Sequence, residues 1–144
     1  MKELAEKFRL MEIEISAEKG PFVLFGLFLP EEAPGVWDLL VAAPWIGGRK
    51  EEALRYISSK VTASLSQDEL LRLSRIIILE PTDPEIAALP FHMEHSMWHV
   101  DNCNFSGLEI RGAYLITVRR GEQELQSRGE RHASARPPEP SVPT

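Results

Sequence analysis

The middle of the chain reads Ser74-Arg75-Ile76-Ile77-Ile78-Leu79-Glu80-Pro81-Thr82-Asp83-Pro84. An unbroken apolar run rich in β-branched residues favours a strand that other parts of the protein cover on both faces. The Asp83-Pro84 pair favours a helix start, because aspartate can accept hydrogen bonds from free backbone N–H groups and proline fits the first helical position. This stretch therefore predicts a strand over residues 75–80 that turns sharply into a helix.

The segments before this strand predict a hairpin and two helices. Residues 22–29 and 36–45 are both strand-like, and the short polar loop between them indicates antiparallel pairing. A helix is predicted from residue 50, where apolar residues recur at steps of three and four: Leu54, Ile57, Val61 and Leu65. Ser66 and Glu69 have the spacing of a capping box, which predicts a second helix start.

The two ends of the predicted domain leave alternatives open. Residues 2–10 have helical spacing, whereas residues 11–16 alternate between apolar and charged and favour a half-exposed strand. Pro90 interrupts the helix that begins near Pro84, and residues 91–97 can resume it. Residues 98–105 fit either a strand or a loop, and residues 108–118 predict a final strand.

These elements predict an α/β fold, with α+β as the alternative class. A hairpin, a crossover through helices and a further strand indicate a mixed sheet of about five strands that three to four helices cover. We expect one globular domain over residues 1–120. Residues 121–144 contain few apolar residues and many prolines, and we expect this tail to be disordered.

Composition argues against several classes of function. The formal net charge of −6 disfavours nucleic-acid binding, which usually needs a basic face. No apolar run approaches the roughly 20 residues that a membrane helix needs. Cys103 is the single cysteine, so no internal disulfide can form. Together with an amino terminus unlike a signal peptide, this predicts a cytoplasmic protein.

Histidines and other metal-binding residue types cluster after Pro90. If residues 91–100 formed one helix, His92, His95 and His99 would share a face. If the region were a strand, His99, Asp101 and Cys103 would share a side instead. These residue types suit zinc or a similar divalent metal, so we take His92, His95, His99 and Cys103 as candidate ligands. The alternative is that they lie on the surface or cap backbone groups.

The carboxyl end of the strand predicted over residues 75–80 is a second candidate site. Ligands of α/β proteins tend to lie outside the carboxyl ends of strands. Glu80, Thr82 and Asp83 would line that edge and form a ligand-binding site. The simpler interpretation is that Thr82 and Asp83 cap the following helix and that Glu80 merely ends the strand.

Two weaker patterns remain. The segment Gly47-Gly48-Arg49-Lys50 lies between a strand and a helix and could hold a phosphate, although a simple turn explains it as well. Asp38 interrupts an apolar strand and could share a metal with Glu80, as in nucleases, although exposure at a sheet edge is the simpler account. No Gly-x-Ser-x-Gly or comparable nucleophile motif is present.

The sequence thus favours a small non-catalytic binding or regulatory module. We expect it to act through protein–protein contacts or on a small ligand, as a homodimer, because its aromatic residues suit either a core or a subunit interface. The alternative function is a metal-dependent hydrolase or nuclease that uses the cluster from His92 to Cys103.

Overall fold

We analysed a computed structural model, which describes residues 2–32, 35–105 and 107–119. The proline-rich tail that the sequence predicts to be disordered lies outside these residues. The elements follow the order α1 (Lys2–Lys19), β1 (Leu24–Pro30), β2 (Trp37–Ala42), α2 (Lys50–Ser64), α3 (Gln67–Leu70), β3 (Leu73–Ile78), α4 (Pro84–Ala87), β4 (Trp98–Phe105) and β5 (Leu108–Val118).

The five strands form one mixed sheet in the order β3-β2-β1-β5-β4. Only β2 and β3 are parallel among the described pairs, and α2 and α3 form the crossover between them. This arrangement is a single domain and confirms the predicted fold class. The predicted hairpin is also confirmed, since β1 and β2 pair antiparallel from Leu24 opposite Ala42 to Phe28 opposite Asp38.

The first helix continues through the segment for which a strand was the alternative. Met11 and Ile15 are buried, whereas Ile13 between them is 37% exposed. A strand would place all three side chains on one face, so the period-two pattern of residues 11–16 is a coincidence within a helix. The strand prediction for this segment is therefore wrong, and helical spacing from Leu4 onward is the informative pattern.

Apolar residues pack on both faces of the sheet. On one face lies the helix-side core, where α1 and α2 cover the sheet through Phe8, Ile15, Ile57 and Val61, among others. On the other face lies the opposite-face core, which residues 79–93 cover mainly through Ile86 and Met93. The central strands β1 and β2 are consequently buried on both sides.

The apolar run that organises the sequence forms β3, at an edge of the sheet. Ile76 and Ile78 pack on the helix-side core, and Ile77 packs on the opposite-face core, but all three are only half-buried. The extended conformation is confirmed, and both faces are covered as predicted, but only in part, because β3 is the last strand of the sheet. The centre belongs to β1, which pairs with both β2 and β5, and the long-range pairing with β5 gives no local signal in the sequence.

The segment after β3 begins as predicted and then departs from the prediction. Asp83 caps α4, with its Oδ1 atom accepting from the N–H of Glu85 at 2.8 Å. After Pro90 the chain does not resume a helix; Met93 instead exchanges two backbone hydrogen bonds with Val118 of β5, at 2.9 and 3.0 Å. Residues 98–105 then form a strand rather than a loop.

Candidate functional site

The carboxyl ends of the parallel strands β2 and β3 lie at the same edge of the sheet, and α2 begins there. The Nζ atom of Lys50, the first residue of α2, lies 2.8 Å from Oε2 of Glu80 just beyond β3. This ion pair joins the predicted Gly47-Gly48-Arg49-Lys50 segment to the predicted ligand edge. Ligands of α/β proteins commonly bind at such a place.

A cavity of about 350 Å³ opens beside the start of α2. We call it the Trp45 cavity. The end of α1, the loop after β2 and the first turns of α2 contribute its lining residues, which are Lys19, Trp45, Ile46, Arg49, Glu52, Ala53 and Tyr56. This volume is at the lower end of the range for small-molecule sites.

Close packing around Trp45 forms one wall of the cavity. Gly20 has a φ of 127°, and a Cβ atom built there would lie 3.2 Å from Cδ1 of Trp45, so a side chain at this position would be both strained and crowded. The indole ring meets Phe22 and Tyr56 edge to face, at centroid distances of 5.7 and 6.4 Å. These contacts fix the orientation of the ring.

The indole Nε1 atom of Trp45 is buried and has no hydrogen-bond partner. It is the one buried side-chain nitrogen or oxygen in this condition within residues 2–32, 35–105 and 107–119. A buried donor without an acceptor costs about 1–3 kcal/mol, so each such group calls for an explanation. The ring that carries this donor lines the cavity, so a ligand oxygen held there would satisfy it where the neighbouring side chains part around the N–H.

The charged groups of the cavity are mostly donors. Lys19 places its ammonium 4.8 Å from the centre of the Tyr56 ring, and Arg49 precedes α2 without a side-chain cap on the helix. The Arg49 Nε atom lies 3.8 Å from the carboxylate of Glu52, and both side chains are largely exposed. Burial, and then the hydrogen bond that Tyr56 donates to Glu18, raise the pKa of Tyr56 to about 12. Its hydroxyl therefore stays protonated at neutral pH.

The three residues predicted at the strand edge have different roles. Glu80 lies beside the start of α2, as described above. Asp83 uses its carboxylate to cap α4, which matches the simpler interpretation of the sequence. Thr82 is exposed between them. A shared ligand on Glu80, Thr82 and Asp83 stays a prediction.

The four candidate metal ligands have different surroundings. His95 contacts Glu12, with 2.7 Å between Nδ1 and Oε1, whereas His99 stacks on Tyr114 at a centroid distance of 4.7 Å. His92 is exposed, and Cys103 packs on the opposite-face core. Partial burial raises the pKa of the Cys103 thiol.

The strand alternative, in which His99, Asp101 and Cys103 share one side, does not hold for Cys103. His99 and Asp101 contact each other, with 3.3 Å between Nε2 and Oδ1, and His99 lies on Tyr114 at the helix-side core. Asn102 has a φ of 50°, and Cys103 then packs on the other face. No three His, Cys, Asp or Glu side chains in the described part of the chain are placed to hold a metal ion.

Asp38 is not the exposed edge residue that the sequence favours. It is buried in β2, where it lies opposite Arg75 of β3, and the Arg75 Nε atom is 3.4 Å from its Oδ1 atom. Its carboxylate is thus held by an arginine beside it in the sheet. This ion pair explains why a carboxylate is present in a buried strand.

The sequence missed a buried polar network between α1, β5 and residues 94–95. Glu12 is fully buried and accepts hydrogen bonds from the hydroxyls of Thr117 at 2.8 Å and Ser16 at 3.2 Å, besides its contact with His95. The helical period places Glu12 on the apolar face of α1, between Met11 and Ile15. A charged residue at that position was the available signal.

Arg119 forms a second polar anchor next to this network. Its guanidinium group, only 6% exposed, contacts both carboxylate oxygens of Glu94 at 3.0 Å and donates to the backbone oxygen of Phe22. Together the Glu12–His95 and Arg119–Glu94 contacts connect residues 94–95 to α1 and to the end of β5.

We compared the chain with known proteins. No protein-family model matches it, and neither the curated proteins nor the solved structures give a significant match. Among the residues that the structure describes, no helix combines the length and the apolar character needed to cross a membrane.

Proposed function

We propose that the protein is a non-catalytic binding module that holds a small anionic ligand in the Trp45 cavity. The observation that carries this proposal is Trp45, which lines the cavity and whose buried indole N–H lacks an acceptor. A carboxylate or phosphate oxygen would accept from it. We place the module in the cytoplasm, in keeping with a chain whose one cysteine cannot form an internal disulfide.

The remaining lining groups favour an anion. Lys19 and Arg49 bring two positive charges, against one negative charge from Glu52. Because the Arg49–Glu52 pair is exposed, little energy is needed to turn the arginine toward a ligand. The uncapped start of α2 adds backbone donors and the positive end of the helix dipole.

Binding fits these residues better than catalysis. The described side chains that line the cavity include no histidine, cysteine, serine or threonine, so the common Ser–His and Cys–His pairs are not among them. The alternative function, a metal-dependent hydrolase or nuclease at His92, His95, His99 and Cys103, would need those side chains to converge. Metal analysis of protein purified without an affinity tag tests that alternative, and a stoichiometric ion would favour it.

The proposal is tested by following the indole N–H of each tryptophan by NMR in protein labelled with ¹⁵N-tryptophan. Sodium phosphate and sodium benzoate are titrated separately, at constant ionic strength, with sodium chloride as the reference. A saturable shift of the Trp45 resonance, assigned with the Trp45→Phe variant, is expected with at least one of the two anions. The two titrations distinguish a phosphate from a carboxylate ligand.

Variants of the cavity sharpen this test. Lys19→Ala and Arg49→Ala should each weaken binding about tenfold, the loss expected when one charged hydrogen bond is removed. Arg55→Ala, an exposed position on the same helix, is the matched control and should leave binding unchanged. No saturable shift with either anion, or the same shift with sodium chloride, would overturn the proposal.

A further inference from the structure

A second cavity, of about 110 Å³, opens on the face of the sheet that carries the opposite-face core. Three of its lining residues lie next to one another across the sheet: Phe28 on β1, Asp38 on β2 and Arg75 on β3. We call it the Asp38 cavity. The other described lining residues are apolar, and they are Pro30, Leu40, Ile77, Leu79, Phe105 and Ile110. Trp45 packs on the helix-side core, so the two cavities lie on opposite faces of the sheet.

The carboxylate of Asp38 is buried without a hydrogen bond. Its side chain is only 7% exposed, and the Arg75 Nε atom lies 3.4 Å from its Oδ1 atom. This distance is longer than the roughly 2.7–2.9 Å of a charged hydrogen bond. Among the described residues, no N–H or O–H group donates a hydrogen bond to this carboxylate. The ion pair balances the charge of Asp38 but leaves the acceptor sites of the carboxylate unused.

The oxygens of Asp38 can be reached from the cavity. Within residues 2–32, 35–105 and 107–119, the one side-chain nitrogen or oxygen that is both sealed and without a hydrogen bond is Nε1 of Trp45. The Asp38 oxygens therefore keep some accessible surface, and Asp38 lines this cavity. Because a buried acceptor without a donor costs free energy, such a wall favours a ligand that brings a donor.

Charge balance selects a neutral ligand. Asp38 and Arg75 carry opposite charges, and the other described lining residues are uncharged. A cationic ligand would leave an unbalanced positive charge between apolar walls, which is costly. Arg75 has a side chain that is 60% exposed, so it lies at the mouth of the cavity and leaves the interior to apolar groups.

The size and the walls of the cavity select a small aromatic body. A cavity of roughly 150 Å³ lined by leucine, isoleucine and phenylalanine can hold benzene, so the volume here suits about one ring. The rings of Phe28 and Phe105 lie with their centres 5.2 Å apart, and aromatic side chains favour contact with a further ring.

We propose that the Asp38 cavity binds a neutral molecule of about one aromatic ring that carries one O–H or N–H donor, of which phenol is the simplest example. The donor hydrogen-bonds to the Asp38 carboxylate, and the ring packs between Phe28, Phe105 and the neighbouring aliphatic side chains. This site is separate from the Trp45 cavity and does not rest on the function proposed for it.

The test follows the isoleucine methyl groups by NMR in protein labelled with ¹³C at those groups. Phenol, toluene and benzylamine, which is a cation at neutral pH, are titrated separately. Phenol is expected to give saturable shifts of the Ile77 and Ile110 resonances, assigned with the variants Ile77→Val and Ile110→Val. The resonance of Ile57, in the helix-side core, should not move.

Asp38→Asn separates the hydrogen bond from the apolar contact. It should weaken phenol binding about tenfold, because a charged acceptor becomes a neutral one, with an unchanged circular dichroism spectrum. Toluene has nearly the same shape and no donor, so its binding should not change. Asp68→Asn, exposed on α3 and outside the cavity lining, is the matched control and should leave phenol binding unchanged.

Several outcomes would overturn the inference. The absence of a saturable shift at Ile77 and Ile110 with phenol would show that the cavity does not take this class of ligand. Phenol binding that Asp38→Asn leaves intact, or an equal loss for phenol and toluene, would remove the carboxylate from the site. Tighter binding of benzylamine than of phenol would contradict the selection of a neutral ligand.

Discussion

The Nδ1 atom of His95 lies 2.7 Å from Oε1 of Glu12, and this carboxylate is fully buried while the histidine side chain remains 40% exposed. The backbone N–H of His95 also donates to the hydroxyl of Thr117 at 3.1 Å. His95 has a φ of 54°, a conformation that few non-glycine residues adopt. These contacts hold residues 94–95 in place between the end of α1 and β5.

Replacing Glu12 by glutamine tests the buried network. The carboxylate accepts from Thr117, Ser16 and His95, and an amide offers one accepting oxygen and an NH₂ group that cannot accept. We expect the free energy of unfolding, measured in urea, to fall by about 1–3 kcal/mol.

Glu14→Gln is the matched control on the same helix. Glu14 contacts Lys60 at 3.2 Å on the surface, where such pairs contribute about 0–1 kcal/mol. If both variants lost the same small amount of stability, the buried Glu12 network would not stabilise the protein more than a surface ion pair does.

The second prediction is that stability depends on the geometry of the Arg119 guanidinium group and not only on its charge. Arg119→Lys keeps the charge but loses the two-pronged contact with Glu94 and the donation to the backbone of Phe22. We expect a loss of about 1.5–3 kcal/mol in unfolding free energy, in line with buried hydrogen bonds to charged groups.

A similar fork on the surface provides the comparison for Arg119. Arg9 contacts Glu6 on α1 through Nε and one terminal nitrogen, at 3.0 and 2.8 Å, and this pair is partly exposed. Arg9 also donates to the backbone oxygen of His95 at 3.2 Å. Because water screens the partly exposed ion pair, Arg9→Lys should still cost less than Arg119→Lys. Equal losses in the two variants would contradict the role assigned to burial of Arg119.

Local features of the structure could be predicted from the sequence because neighbouring residues determine them. The helical spacing of Ile57, Val61 and Leu65 predicts the buried face of α2, whereas the predicted Leu54 is 39% exposed and Ala53 is buried instead. The capping box of Ser66 and Glu69 is present as expected, with bonds of 2.8 and 3.2 Å, because it depends on four consecutive residues. The Asp83 cap is local in the same way.

Features that join distant parts of the chain could not be predicted from spacing. An apolar run favours a strand whether it lies at the centre or at an edge, so residues 75–80 alone could not reveal that β3 is an edge strand. Lys19 and Trp45 meet at one cavity because the antiparallel pairing of β1 with β2 brings the residues before β1 beside those after β2. Glu12 contacts His95 because β5 pairs with β1 and Met93 pairs with Val118 of β5. No local pattern near either residue predicts this contact.

Substitution by alanine is expected to change the stability in opposite directions at two glycines. A Cβ atom at Gly26 in β1 would lie 3.1 Å from the backbone oxygen of Tyr114 and 3.3 Å from Leu115, with little room for either to shift. Gly26→Ala should therefore cost about 1–3 kcal/mol, as overpacked cores do. Gly48 has no neighbour within 4 Å and no positive φ.

Gly48→Ala should leave the stability unchanged or raise it by up to about 1 kcal/mol, because alanine restricts the unfolded chain. Thermal unfolding of both variants beside the wild-type protein measures the contrast. A Gly26→Ala variant as stable as Gly48→Ala would contradict this prediction, because it would mean that the backbone of β5 can move away from the added methyl group at little cost.

The last prediction concerns Tyr56 and alkaline pH. Burial, then the hydrogen bond to Glu18, raise the pKa of Tyr56 from 10.0 to about 12, so the folded protein holds this proton more tightly than the unfolded chain. The stabilisation is therefore fully present below pH 10 and is lost as pH rises from about 10 to about 12. Tyr56→Phe removes the hydroxyl, so its unfolding free energy should fall less steeply with pH over that interval than that of the wild-type protein. The two proteins share all their other titratable side chains, so the difference between the two curves isolates Tyr56. Parallel curves would show that the tyrosine proton is not linked to folding.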